Sequence, residues 1–172
     1  MPEFELILST EAIRESIRQV AAQLSEVYRG RDVVIVGVLK GAFVFLADLV
    51  RSVDFPVKLD FIGVSSYGDS TQSSGSVRIT KHVDMDLSGK DVLIVEDIVD
   101  TGLTLDFLVE HFRSVGAQSV RVCALIDKQE RRSGKTPVDF CCHRVDKGFL
   151  VGYGLDYAEY YRNLPGIYHL KL

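Results

Sequence analysis

Residues 92–105 read Val92-Leu93-Ile94-Val95-Glu96-Asp97-Ile98-Val99-Asp100-Thr101-Gly102-Leu103-Thr104-Leu105. Val92 to Val95 form an unbroken apolar run, the pattern of a strand buried on both faces. Two adjacent acids, Glu96 and Asp97, stand at its carboxyl end. A short turn with two hydroxyls and a glycine follows, Asp100-Thr101-Gly102-Leu103-Thr104. From Leu105 the apolar residues fall at helical spacing: Leu105, Leu108, Val109, Phe112 and Val115. The opening N–H groups of such a helix have no partner inside it and lie at the positive end of its dipole. A dianionic phosphate is stabilised there. Thr101 and Thr104 add hydroxyl donors, and Gly102 lets the backbone come close. Glu96 and Asp97 are wrong for a phosphate. They suit the hydroxyls of a sugar, or a hard cation held through oxygen and water. The segment therefore reads as a site for a phosphorylated sugar.

The same alternation of apolar runs and helical spacing extends outward. Thr10 is placed to cap a first helix with Ile13, Ile17, Val20, Leu24 and Val27 on one face and Gly30 as its stop. Val33 to Val38 is a strand, Gly41 to Arg51 a mostly apolar helix, and Lys58 to Ser65 a further strand with Val77 to His82 pairing back on it. The helix over 104–115 stops at Gly116 and is followed by a strand from Val120 to Ile126, then a charged loop from Asp127 to Lys135. Short strands near Asp139–His143 and Phe149–Tyr153 complete the core. Strands alternating with helices predict an α/β fold, a mainly parallel twisted sheet with helices on both faces. Ligands of such sheets bind outside the carboxyl ends of the strands. The positions after Val38, Val95 and Ile126 then converge on one edge.

A chain of 172 residues with 47% hydrophobic residues suits one domain, 1–172, with a good core. No apolar run spans a bilayer, and the acidic N-terminus does not resemble a signal peptide. Three cysteines, Cys123, Cys141 and Cys142, lack metal-ligand spacing, and reduced thiols in a cytoplasm are the simplest expectation. Four histidines, His82, His111, His143 and His169, are scattered, with no pair at metal spacing. The net charge of −4 argues against a nucleic-acid partner. Lys40, Lys128 and Arg162 nevertheless sit at glycine turns or strand ends, where a polyanionic small substrate needs local positive charge. Residues 66–76, from Ser66-Tyr67 to Ser76, are polar and glycine-rich. They read as a hairpin tip or as a lid, and loops this long in compact domains favour the lid.

The order Glu96-Asp97-Ile98-Val99-Asp100-Thr101-Gly102-x-Thr104 resembles the phosphoribosyl-pyrophosphate (PRPP) signature of type I phosphoribosyltransferases, and within them the hypoxanthine-guanine family. Gly148-Phe149-Leu150-Val151-Gly152-Tyr153-Gly154-Leu155-Asp156-Tyr157 is a second close match, and the resemblance spans about residues 33–165. It implies the type I fold with a small hood built from the N-terminal segment and about 127–172, and a mobile lid beginning at Ser66-Tyr67. It implies that Leu39, Lys40, Gly41 and Arg162 face pyrophosphate, with a non-proline cis peptide joining Leu39 and Lys40. Where the family often has a second glycine, this chain has Ala42. The resemblance further implies that Lys128 donates to the exocyclic oxygen of a 6-oxopurine, that Phe149 stacks on the purine beside Leu150, and that Glu96, Asp97 and Asp156 associate with Mg²⁺ and the ribose. Residues 100–104 would hold the 5′-phosphate, and Asp100 would take the proton of purine N7 as N9 attacks C1 of PRPP. The implied partners are small molecules, with neither nucleic acid nor membrane, in a homodimer or homotetramer. Two other readings stay open at this point: a PRPP-sensing regulatory protein of the same fold, and a transferase for xanthine, uracil or orotate.

Overall fold

The structure, a computed structural model, describes residues 1–66 and 76–171. In chain order its elements are β1 (Glu3–Leu8), α1 (Thr10–Tyr28), β2 (Val33–Leu39), α2 (Phe43–Val50), β3 (Lys58–Ser66), β4 (Val77–Lys81), β5 (Asp91–Val99), α3 (Leu103–Ser114), β6 (Ser119–Lys128), β7 (Phe140–Val145), β8 (Leu150–Val151) and β9 (Ile167–Lys171). A six-stranded sheet has the order β4-β3-β2-β5-β6-β7, and a three-stranded sheet the order β1-β9-β8. The large sheet is parallel from β3 to β7, with β4 antiparallel at its edge.

Strand alternation distributes the core over both faces of that sheet. Ile35, Leu93, Val95 and Cys123 pack with Ile13, Ile17, Leu24, Phe45 and Leu49 of α1 and α2. Their neighbours Val34, Val36, Val92, Ile94 and Val122 pack on the other face with Leu105, Leu108 and Phe112 of α3. Each fully buried aliphatic side chain of this kind contributes about 1.5–3 kcal/mol relative to exposure. Runs buried on both faces are what a sheet covered on both sides requires.

Connectivity decides where the ligand goes. From β2 the chain proceeds to β3 on one side, and from β5 to β6 and β7 on the other. The order reverses between β2 and β5, which are paired in parallel with Gly37 opposite Val95. A crevice opens at such a reversal, outside the carboxyl ends of the two strands.

Several boundaries differ from the sequence expectation. Ser9, not Thr10, caps α1: its side chain accepts from the Ala12 amide at 3.1 Å. Helix α2 begins at Phe43 rather than Gly41, because Lys40 to Ala42 form a turn in which the Phe43 amide donates to the Lys40 carbonyl at 3.2 Å. Strand β5 runs on to Val99 and carries Glu96 and Asp97 within it. Strand β6 takes in Asp127 and Lys128, where the sequence predicts the start of a loop. Strands β1 and β9 were not anticipated. They pair antiparallel with Glu3 opposite Lys171, and β8 adds to β9 with Leu150 opposite His169.

Candidate active site

The site is built on the ends of β2, β5 and β6. Glu96 is 8% exposed and lies opposite Ala124 of β6. Its Oε1 accepts from the Asp97 amide at 3.1 Å, and Asp97 Oδ1 accepts from the Ile98 amide at 2.7 Å. Burial, and then the neighbouring Asp97 charge, push the Glu96 carboxyl well above its ordinary range. Burial also raises Asp97, against a lowering pull from its own hydrogen bonds and Arg162. Two adjacent carboxyls short of positive charge make a place a cation would relieve.

After β5 the chain turns through Asp100-Thr101-Gly102 into α3. Gly102 caps the helix with φ 83°, a left-handed conformation that a glycine adopts without penalty. Thr101 Oγ1 accepts from the Leu103 amide at 3.3 Å, which leaves the hydroxyl proton free to donate outward. A cavity of about 120 Å³ is lined by Glu96, Asp100, Thr101, Gly102 and Thr104, with Ile98, Val99 and Leu105 completing its wall. The Asp100 Oδ1 atom is buried and has no hydrogen-bond partner. The other oxygen, Oδ2, lies 3.8 Å from Lys128 Nζ and 3.6 Å from Arg131. An acceptor buried without a donor costs free energy unless a ligand supplies one.

Lys128 closes β6, is 8% exposed, and also stands 3.9 Å from Glu130. Glu130 accepts from the Gly148 amide at 3.4 Å, which brings the Gly148-Phe149 segment toward the lysine. Phe149 is 45% exposed rather than core, and meets Tyr157 edge-on at 5.5 Å. Leu150 beside it is buried in β8.

On the β2 side a cis peptide joins Leu39 and Lys40. Lys40 Nζ pairs with Glu159 at 3.1 Å. Gly41 lies against the Asp97 carboxylate, and Gly154 against the Gly41 carbonyl. Arg162 donates to the Gly154 carbonyl at 2.7 Å and pairs with Asp156 at 3.3 Å and Glu159 at 3.5 Å. The turn after β2 and the acidic pair are thus in contact through Gly41 and Asp97. Asp156 faces Arg162 instead, and among the described residues no three or more ligating side chains gather around a metal position. The donor set still fits Mg²⁺, which is usually held by one or two carboxylates and completed by waters and substrate phosphates. Ser66 ends β3, whereas Tyr67 and the rest of the expected lid, up to Gly75, lie outside the described residues.

Three contributors escaped the sequence reading: Glu130, Glu159 and Arg132, whose guanidinium bonds the carbonyls of Val99 and Asp100. A wider depression of about 630 Å³ beside α1 and α2 lies away from this constellation. Its Arg51 is already paired with Asp48, and its Arg18 with Glu15.

A phosphoribosyl transferase domain matches residues 5–158. The chain belongs to the phosphoribosyl transferase family. It is 46% identical over 167 residues to the hypoxanthine-guanine phosphoribosyltransferase of Bacillus subtilis, covering 97% of this chain and 93% of that one. It is 44% identical over 167 residues to the bifunctional protein TilS/HprT of Listeria monocytogenes, covering 97% of this chain but 26% of that longer protein. A crystal structure of a hypoxanthine phosphoribosyltransferase from Staphylococcus aureus superimposes with a TM-score of 0.94 at 41% identity, covering 97% of this chain and 91% of that one. The fold is the type I phosphoribosyltransferase fold, and the chain is a transferase. Among the described residues no helix is long and apolar enough to cross a membrane.

Proposed function

We infer that the chain serves purine salvage. It transfers the 5-phosphoribosyl group from PRPP to N9 of hypoxanthine and guanine, releasing pyrophosphate and giving IMP and GMP. The observation that carries this reading is the orphaned Asp100 Oδ1 atom, buried beside the phosphate cavity with Lys128 at 3.8 Å from its partner oxygen. A base that loses a ring proton as it attacks supplies the missing donor.

The residues divide the work. Amides and hydroxyls of 100–104 hold the 5′-phosphate, so that binding far from C1 orients the reacting atoms. Glu96 and Asp97 accept from the ribose hydroxyls. Lys40, Gly41 and Arg162 face the pyrophosphate. Lys128 donates to the purine exocyclic oxygen, Phe149 covers the ring beside Leu150, and Asp100 takes the N7 proton. Glu96 and Asp97, with Asp156 reached through water, would hold Mg²⁺, which supplies charge neutralisation at the pyrophosphate when bound. The small β1-β9-β8 sheet acts as the hood over the base.

We further propose that the enzyme works in the cytoplasm on small molecules, without a nucleic-acid or membrane partner, as a homodimer or homotetramer. Light scattering measures the last point. The decisive assay mixes the chain with PRPP, Mg²⁺ and a panel of hypoxanthine, guanine, xanthine, uracil and orotate, followed by absorbance. Conversion of the first two supports the reading. Conversion of none, or of a pyrimidine alone, overturns it.

A further inference from the structure

Arg132 lies in the segment that the sequence reads as a charged loop, yet its side chain is only 20% exposed. Its Nε donates to the Asp100 carbonyl at 3.1 Å. Its Nη2 donates to the carbonyls of Val99 and Lys128, each at 3.2 Å, and to the buried carboxylate of Asp127. The next two residues continue the pattern: the amides of Ser133 and Gly134 donate to the Thr101 carbonyl at 2.9 and 2.8 Å. The loop is fastened beyond them as well, where the Lys135 and Thr136 amides donate to the Asp106 carboxylate on α3. Gly134 is packed so tightly on Gly102 that a β-carbon there would stand 2.6 Å from the Gly102 carbonyl carbon.

Three successive carbonyls, those of Val99, Asp100 and Thr101, are therefore all held by this strap. A trans peptide group is planar, so each carbonyl points opposite to the N–H of the following residue. Fixing the three carbonyls toward the strap turns the amides of Asp100, Thr101 and Gly102 the other way. No carbonyl of the described residues accepts from the Thr101 or Gly102 amide. All three residues line the cavity.

We propose that Arg132 is a positioning residue. With the strap at 133–134 it sets three consecutive amides as a preformed anion cradle, and it couples that cradle through the Lys128 carbonyl to the strand end that carries the base-facing ammonium. The inference rests on the reading that residues 100–104 receive the 5′-phosphate. Aligned donors that need no rearrangement on binding are worth most in a water-poor site. Lysine at this position keeps the charge but lacks the planar fork that reaches several acceptors at once.

Two measurements on the full chain test it, with ribose 5-phosphate as the probe. In the unaltered protein, the amide proton resonances of Asp100, Thr101 and Gly102 are expected to move downfield together as the probe is added. Saturable binding that leaves these three unmoved overturns the inference while the transferase reading stands. Absence of any binding overturns that reading too. In Arg132→Lys, the affinity for ribose 5-phosphate is expected to fall about 10- to 100-fold, as for loss of charge-assisted hydrogen bonds. The KM for PRPP should rise in proportion and the KM for the base much less, with melting within a few degrees of the unaltered chain. A variant that melts normally and binds ribose 5-phosphate as tightly as its parent overturns the proposal. If the variant does not fold, the amide shifts of the parent decide.

Discussion

Gly41 abuts Asp97: a β-carbon on the glycine would stand only 1.7 Å from the carboxylate oxygen Oδ2. The turn after β2 and the acidic end of β5 are thus fitted to each other with no room for a methyl group. Gly41→Ala must displace either that turn or Asp97. Strain of this kind costs about 1–3 kcal/mol, and it falls on ligand geometry. We expect kcat/KM for PRPP to drop about 10- to 100-fold. Steady-state kinetics with varied PRPP measures this, and unchanged kinetics would show that the two groups move apart freely.

On the proposed function, Asp100 acts as a base, with its Oδ1 buried and without a hydrogen-bond partner. Asp100→Asn keeps the size, loses the capacity to take a proton and gives up the charge pairing with Lys128 and Arg131. General bases contribute about 10²–10⁴-fold, so kcat should fall within that range while KM for PRPP changes little. A variant that turns over at the parental rate removes Asp100 from proton transfer.

Lys128 Nζ is held between Asp100 and Glu130 at 3.8 and 3.9 Å. Lys128→Gln retains a donor but not the charge. The expected loss is about 10- to 100-fold in kcat/KM for hypoxanthine and guanine, expressed mainly in KM for the base. Equal KM values for both bases in variant and parent would place the lysine outside base recognition.

Glu96 offers a pH signature. Its carboxyl is raised by burial first and by Asp97 second, so the folded chain keeps that proton to a higher pH than the unfolded chain does. In the interval above the ordinary carboxyl value the native state binds more protons, and stability therefore falls as pH rises through it. Glu96→Gln removes this penalty. At pH 8 without Mg²⁺ the variant should be the more stable protein, with the higher melting temperature. The gap should narrow as pH falls toward the ordinary carboxyl range. The same variant should be a poorer enzyme. Melting curves across pH would contradict this if the variant were the less stable protein at pH 8.

Magnesium adds a fifth expectation. With Glu96 and Asp97 both raised by burial, the cation and the proton compete for them. The Mg²⁺ concentration needed for half-maximal rate should increase as pH is lowered from 8 to 6, and chelation should abolish turnover reversibly. A half-saturating concentration independent of pH would separate these carboxyls from the metal.

Much of this arrangement was legible because periodicity and turn chemistry agree along β2, β5, α3 and β6. Buried parallel strands leave continuous apolar runs, and the switch point follows from strand order alone. Phe149 was harder. An aromatic in an apolar run reads as core, and only the family resemblance pointed to the exposed placement that the structure has. Arg132 left no trace, since three of its four acceptors are backbone carbonyls, which every residue possesses. Strands β1 and β9 were missed for a related reason. Phe4 and Leu6 alternate with Glu3 and Glu5, but Ile7 breaks the pattern before Leu8, and the pairing is with a segment at the far end of the chain. The cap of α1 slipped by one residue because Ser9 and Thr10 carry the same hydroxyl.

The pairing of Glu3 with Lys171 has a temporal consequence. Closing so long a loop is entropically slow, so this ladder should assemble after the parallel sheet has consolidated. The Phe149 carbonyl accepts from the Leu170 amide at 2.9 Å, so Phe149 depends on that late ladder for its place. During refolding, sugar-phosphate affinity should then return before purine affinity, and native-state hydrogen exchange should find the ladder opening independently of its neighbour.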